Sequence, residues 1–98
     1  MKSRLPPLRA VEIFVLAGRA LSFTAAAKTV NLTPSAVSRR MRDLERDLGT
    51  ILFRRFNRRL ELTAAGAHYL DAASRAIELI ERESDANRPR ATGPRCRD

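Results

Sequence analysis

Residues 22–49, SFTAAAKTVNLTPSAVSRRMRDLERDLG, read as two helices joined by a tight turn. In the second helix Val37, Met41, Leu44 and Leu48 are spaced 4, 3 and 4, which places them on one side of a helical wheel. Ser35, Arg39, Arg42 and Arg46 occupy the opposite arc, with Ser38 at its edge. Thr33 is positioned to accept from the orphan amides at the helix start, Pro34 suits the first helical position, and Gly49 supplies the left-handed stop. A helix that buries one side and presents hydroxyls and guanidiniums on the other fits a groove lined with acceptors, and the major groove of DNA is such a groove. A charged arc on a surface helix is ordinarily only solvated, so the flanking sequence has to decide.

Working upstream, Pro6 and Pro7 suit the start of a first helix, because proline is tolerated where amides have no intrahelical partner. Leu8, Val11, Phe14, Val15 and Gly18 then recur at helical spacing to about Ala20. Ser22 is an N-cap for the next helix, whose inner face is Phe23, Ala26, Ala27 and Val30. The small residues Ala25 to Ala27 allow a neighbouring helix to approach closely.

Downstream, Leu52–Arg55 and Leu60–Leu62 flank the tip Phe56-Asn57-Arg58-Arg59, a pattern that predicts a β-hairpin with alternating side chains. Arg54, Arg55, Arg58 and Arg59 would repel one another without an anionic neighbour, and phosphates would supply one; an arginine at the tip could enter a minor groove. A merely exposed charge run is the bland alternative. Thr63 caps a fourth helix expected to reach about Glu83, roughly 30 Å long. Its apolar residues form two heptad-spaced stripes, one of Gly66, Leu70, Ala73, Ile77 and Ile80, the other of Ala65, Tyr69, Ala72, Ala76 and Leu79. One stripe would be satisfied by the chain's own head; a second implies another surface, most simply the same helix of a second subunit. A core helix with a wide apolar face is the alternative. Residues 84–98, rich in Arg and Pro, lack periodicity and are expected to form a mobile basic tail.

The 98 residues, 44% of them hydrophobic, suffice for one small domain. The net charge of +8 is uneven: residues 1–62 balance to +8, residues 63–83 to −2 and the last fifteen to +2. A basic head suggests a polyanion-facing module. The single Cys96 excludes an intrachain disulfide and offers no zinc cluster, and His68 stands alone, so no metal or cofactor is expected. No carboxylate pair, nucleophile–base pair or phosphate-binding glycine loop argues for an enzyme. The absence of a secretory segment or a long apolar run leads us to expect a cytoplasmic protein with no membrane partner.

With helix, helix-turn-helix, basic hairpin and long helix in that order, the chain resembles the amino-terminal region of LysR-type transcriptional regulators. The likeness rests on LPPLRAVEIF, LSFTAAAK, LTPSAVSRRMRDLERDLG, LFRR and LTAAG, and covers about residues 5–83. The LPPL opening looks closest to the subgroup containing the glycine-cleavage activator. The resemblance implies a mainly α, winged helix-turn-helix head (residues 1–62: three helices and a hairpin wing) followed by a dimerisation linker helix at residues 63–83. It also implies that Pro34, Ser35, Ser38 and Arg39 approach base edges or nearby backbone, that Thr24 and Thr33 meet phosphates, and that Arg58 is the wing arginine. Two positions depart from the family pattern. Pro34 stands where many members have a glutamine able to reach a base edge, so apolar contact with a thymine methyl would replace that bond. Arg59 stands where glycine is frequent. Members usually continue into an effector-binding domain, which the last fifteen residues could not form; a fragment, a truncated product and a stand-alone head all remain open.

These readings converge on sequence-specific binding of double-stranded DNA by a homodimer or higher oligomer. Arg42 is expected at phosphate, Arg55, Arg58 and Arg59 on the wing, and Leu70, Ala73, Ile77 and Ile80 at the subunit interface. No small-molecule effector is expected for this chain alone. A winged-helix module for protein or RNA contact is the rival.

Overall fold

The computed structural model describes residues 5–57 and 59–89; Arg58 of the wing and residues 90–98, Cys96 among them, lie outside the described residues. The element order is α1 (Leu8–Ala20), α2 (Phe23–Val30), α3 (Pro34–Leu48), β1 (Phe53–Arg55), β2 (Leu60–Leu62) and α4 (Ala64–Asn87). This is a winged helix-turn-helix with a long carboxy-terminal helix.

Local chemistry sets the helix ends. Ser22, Thr33 and Thr63 each sit in extended backbone and accept an amide three residues on, from Ala25 at 3.0 Å, Ala36 at 3.1 Å and Gly66 at 2.9 Å. Each such cap is worth about 1 kcal/mol. The carboxy ends of α1, α2 and α3 close on left-handed residues, Leu21, Asn31 and Gly49. Gly49 and Asn31 adopt that conformation readily, whereas at Leu21 the Cβ carries a steric cost of about 1–2 kcal/mol.

Packing outweighs the caps. Phe14, Phe53, Ile13, Met41, Leu44, Leu52 and Val37 are fully buried, and each such side chain contributes about 1.5–3 kcal/mol relative to exposure. Val37, Met41 and Leu44 carry the inner side of α3 into a core built by α1, α2 and the base of the hairpin. Four rings run through it in sequence. Tyr69 of α4 lies 5.4 Å from Phe14 of α1, Phe14 lies 5.4 Å from Phe53 of β1, and Phe53 lies 5.2 Å from Phe23 of α2. The last two contacts are edge-to-face, the preferred geometry for aromatic pairs.

The wing is a two-stranded antiparallel sheet in which Phe53 pairs with Leu62, Arg54 with Glu61 and Arg55 with Leu60. The Phe56 amide donates to the Arg59 carbonyl at 2.9 Å and closes the hairpin. α4 is fastened where it begins. The Thr63 hydroxyl donates to the Ile51 carbonyl at 2.7 Å and the Thr63 amide to the Leu52 carbonyl at 3.0 Å. Gly66 lies so close to the Leu52 carbonyl that any Cβ there would fall far inside van der Waals contact.

α4 is longer than its sequence suggested. It continues four residues past Glu83 to Asn87, whose Nδ2 donates to the Glu83 carbonyl at 2.8 Å. Nothing in residues 84–87 breaks a helix. Pro89 does, by holding Arg88 in extended backbone.

Candidate nucleic-acid interface

The apolar side of α3 is sealed, so its other side must face outward. Ser35, Arg39, Arg42 and Arg46 are exposed, as are Thr33 and Pro34 at the helix start, while Ser38 is half-buried. At that start the Thr33 and Ser35 hydroxyls lie 3.3 Å apart, and Thr33 Oγ1 is occupied by the Ala36 amide. One of the two hydroxyl hydrogens is spent on the contact between them, which leaves the other for an acceptor outside the protein.

Ion pairing sorts the arginines. Among the described residues Arg39, Arg40, Arg42 and Arg54 are exposed and enter no salt bridge. Arg46 is partly neutralised by Asp43 at 3.2 Å. Arg59 is held twice, by Glu61 at 3.0 Å and with its guanidinium 4.5 Å from the centre of the Phe56 ring. Sequence reasoning passed over Arg40, which borders an open groove along α3 with Thr33, Ser35, Arg39 and Asp43. The signal was available, since Arg40 sits one residue from the polar arc and no apolar neighbour claims it.

The second depression lies between the start of α2 and the wing. Ser22 and Thr24 at the start of α2, Ser38 of α3, and Arg55, Phe56, Asn57 and Arg59 of the wing line it. Thr24 is exposed at the second residue of α2. Ser38 therefore reaches both the polar side of α3 and the wing cleft. Thus Thr24, Thr33, Pro34, Ser35, Ser38, Arg39 and Arg42 are open or half-open along α3 and the start of α2.

Arg55 was expected to act as a wing cation. It lines the wing cleft with a quarter of its side chain exposed, but the pleat turns the rest inward: Phe53 is buried, and the residue two further along a strand points the same way. Its Nη1 lies 3.3 Å from Glu45 Oε1, and its guanidinium lies 5.3 Å from the centre of the Phe23 ring. Arg55 Nε and Nη2 are buried without a hydrogen-bond partner, at a cost of about 1–3 kcal/mol for each unsatisfied donor. Glu45, which the sequence reading did not single out, is 6% exposed; its Oε2 accepts the amides of Leu52 at 2.8 Å and Phe53 at 3.0 Å.

The residues expected at a subunit interface are partly engaged within the chain, although Ala73 and Ile77 also line an open apolar groove. Leu70 packs on Gly18, Ala73 is buried, and half-buried Ile77 joins the core cluster, because α4 folds back along α1 of the same chain. An ion pair between Arg19 and Glu78 at 3.0 Å fastens the same two helices. Of the four residues expected at an interface only Ile80 remains exposed. It joins Ala72, Ala76 and Leu79 on the solvent side, beside an apolar groove bordered by Leu5, Leu8 and Val11. No group of three His, Cys, Asp or Glu among the described residues could hold a metal ion, and no described helix is long and apolar enough to cross a membrane.

Comparison with known proteins sets this geometry in a lineage. Residues 8–67 match the family of bacterial regulatory helix-turn-helix proteins of the lysR type. An HTH-type transcriptional regulator of Sinorhizobium fredii, y4mQ, is 51% identical over 75 residues, 76% of this chain and 25% of that protein. The glycine cleavage system transcriptional activator of Escherichia coli is 51% identical over 82 residues, 83% of this chain and 27% of the activator. Among solved structures, the CbnR DNA-binding domain in complex with DNA superposes with a TM-score of 0.75 at 37% identity, covering 83% of this chain and 93% of that one. The BenM DNA-binding domain on its benA site 1 DNA gives a TM-score of 0.77 at 26% identity, covering 83% and 91%. The chain spans about a quarter of the length of the curated relatives it matches. Four helices and a wing in matching arrangement, with a family match across the helix-turn-helix, place this chain in the lysR family of bacterial regulatory helix-turn-helix proteins.

Proposed function

We propose that this chain binds double-stranded DNA with sequence preference, as a dimer paired through α4, and so regulates transcription in the cytoplasm. The observation that carries the reading is the unpaired, exposed row Arg39, Arg40 and Arg42 on a helix whose opposite side is sealed in the core. The CbnR and BenM domains, similar in fold, were solved on DNA, which supports the same use here. α3 would enter the major groove with its amino-terminal end toward the bases, where Ser35, Ser38 and Arg39 choose among base edges and Pro34 meets a thymine methyl. Thr24, Thr33 and Arg42 would sit at phosphates. Arg59 can join them at small cost, because an exposed ion pair such as that with Glu61 is worth at most about 1 kcal/mol. Neither catalysis nor a small-molecule effector forms part of this reading.

A competition shift assay tests it, using duplexes selected from a random pool. The selected duplex should displace bound DNA far better than random duplex; equal displacement would favour the rival, a winged-helix module for protein or RNA contact with loose affinity for polyanions. Arg39→Ala should cost about 1–3 kcal/mol on the selected site if the guanidinium reads a base. Equal weakening on every sequence would reassign it to phosphate.

A further inference from the structure

Glu45 is the one charged residue in the buried set of the described chain. It projects from the last turns of α3, and its two oxygens divide their work. Oε2 holds the backbone amides of Leu52 and Phe53, where the chain enters the wing, and Oε1 faces the Arg55 guanidinium at the far end of β1. Arg55 in turn lies against Phe23, next to Thr24 at the start of α2. The three elements that carry the proposed DNA-facing residues are therefore joined through the Glu45–Arg55 pair.

We infer that Glu45 is a positioning residue that touches no nucleic acid yet locks the wing, α3 and the start of α2 into one rigid body. The inference rests on the DNA-binding reading above. Strands of three residues each cannot fix a hairpin's direction unaided, since an isolated two-stranded ribbon is marginal in water. The wing's angle is set by what grips its base, and Glu45 grips both backbone and side chain there. Stability alone is a poor reason for the arrangement. Buried ion pairs often gain nothing over apolar side chains of similar volume, and this one leaves two guanidinium nitrogens without partners.

Two variants of the full chain separate positioning from charge and from folding. In Glu45→Gln the single amide oxygen can keep the Leu52 and Phe53 amides, but the carboxamide nitrogen then faces Arg55 donor to donor and releases it. Arg55→Met removes the guanidinium and leaves the backbone bonds. Exchange of the Phe56 amide, which closes the hairpin, should quicken about tenfold or more in both, with α1 amides unchanged. Affinity for a mixed-sequence DNA duplex should fall, and the salt dependence should become shallower by about one phosphate contact as the wing disengages.

Net charge predicts the opposite for Glu45→Gln, because removing a carboxylate from a polyanion-binding head should tighten binding. Tighter or unchanged binding with wild-type exchange at the wing would overturn the inference. Equal loss of protection across α1, α3 and α4 would also overturn it, by making Glu45 an ordinary fold-stabilising group. If Glu45→Gln does not fold, Arg55→Met decides by amide exchange at the wing, because its lost positive charge would weaken DNA binding by itself. If wild type fails to bind the duplex, the DNA reading falls, and amide exchange alone still decides whether Glu45 holds the wing.

Discussion

Gly66→Ala should destabilise the protein strongly, although helix propensity alone predicts the reverse. Alanine in a helix is favoured over glycine by about 1 kcal/mol. Here the new methyl would be driven into the Leu52 backbone, with the Leu52 carbonyl carbon at 2.9 Å and Leu62 Cδ2 at 3.1 Å as its next neighbours. A backbone carbonyl cannot rotate aside, so the start of α4 has to lift. Lifting strains or breaks the Thr63 amide bond to Leu52, the Thr63 hydroxyl bond to Ile51 and the Thr63 cap on Gly66, each worth about 1 kcal/mol. Repacking Tyr69 against Phe14 and Leu70 against Gly18 adds about 1–3 kcal/mol. Set against the propensity gain, the net loss is about 3–5 kcal/mol. For a domain of this size that lowers Tm by roughly 12–40 °C. Thermal unfolding followed by circular dichroism measures it directly. A Tm equal to or above wild type would show that α4 does not press on the residue 52 backbone, and would undo the account of how α4 is fastened to the head.

Other outcomes follow from the same geometry. Leu21→Gly should raise stability by about 1 kcal/mol, because Leu21 holds φ at +50° with its side chain 46% exposed; a lower Tm would mean that its packing beside the wing cleft outweighs the strain. Burial pushes the Tyr69 phenol above its ordinary value of 10.0. The unfolded chain therefore ionises first, so the Tyr69 contribution is complete below about pH 10 and is lost as pH rises through the raised folded value; Tyr69→Phe should remove that part of the alkaline decline in a chemical denaturation series. Leu79→Asp should shift a dimer toward monomer in sedimentation without loss of helix content, since Leu79 is 54% exposed; an unchanged mass would remove α4 from the interface. Ile77→Asp would be a poorer probe, because Ile77 packs on its own head.

Much of this molecule was legible in its sequence, and the legible part has one cause. Ser22, Thr33 and Thr63 start helices through bonds that span three residues, Gly49 ends one through its own backbone, and 4-3-4 spacing turns Val37, Met41, Leu44 and Leu48 to one side. Such decisions need no distant partner. The tertiary structure alone decided the rest. Arg55, at the edge of the wing cleft, is also an internal tie because Glu45, ten residues away, is buried beside it. Which stripe of α4 would be spent on the chain's own head was undetermined until Gly66 met Leu52 and α1 lay against Leu70, Ala73 and Ile77. That left Ala72, Ala76, Leu79 and Ile80 to the solvent. Period and capping say which way a side chain leaves its own element, but only packing says what stands opposite it, and there the free energy of burial is settled.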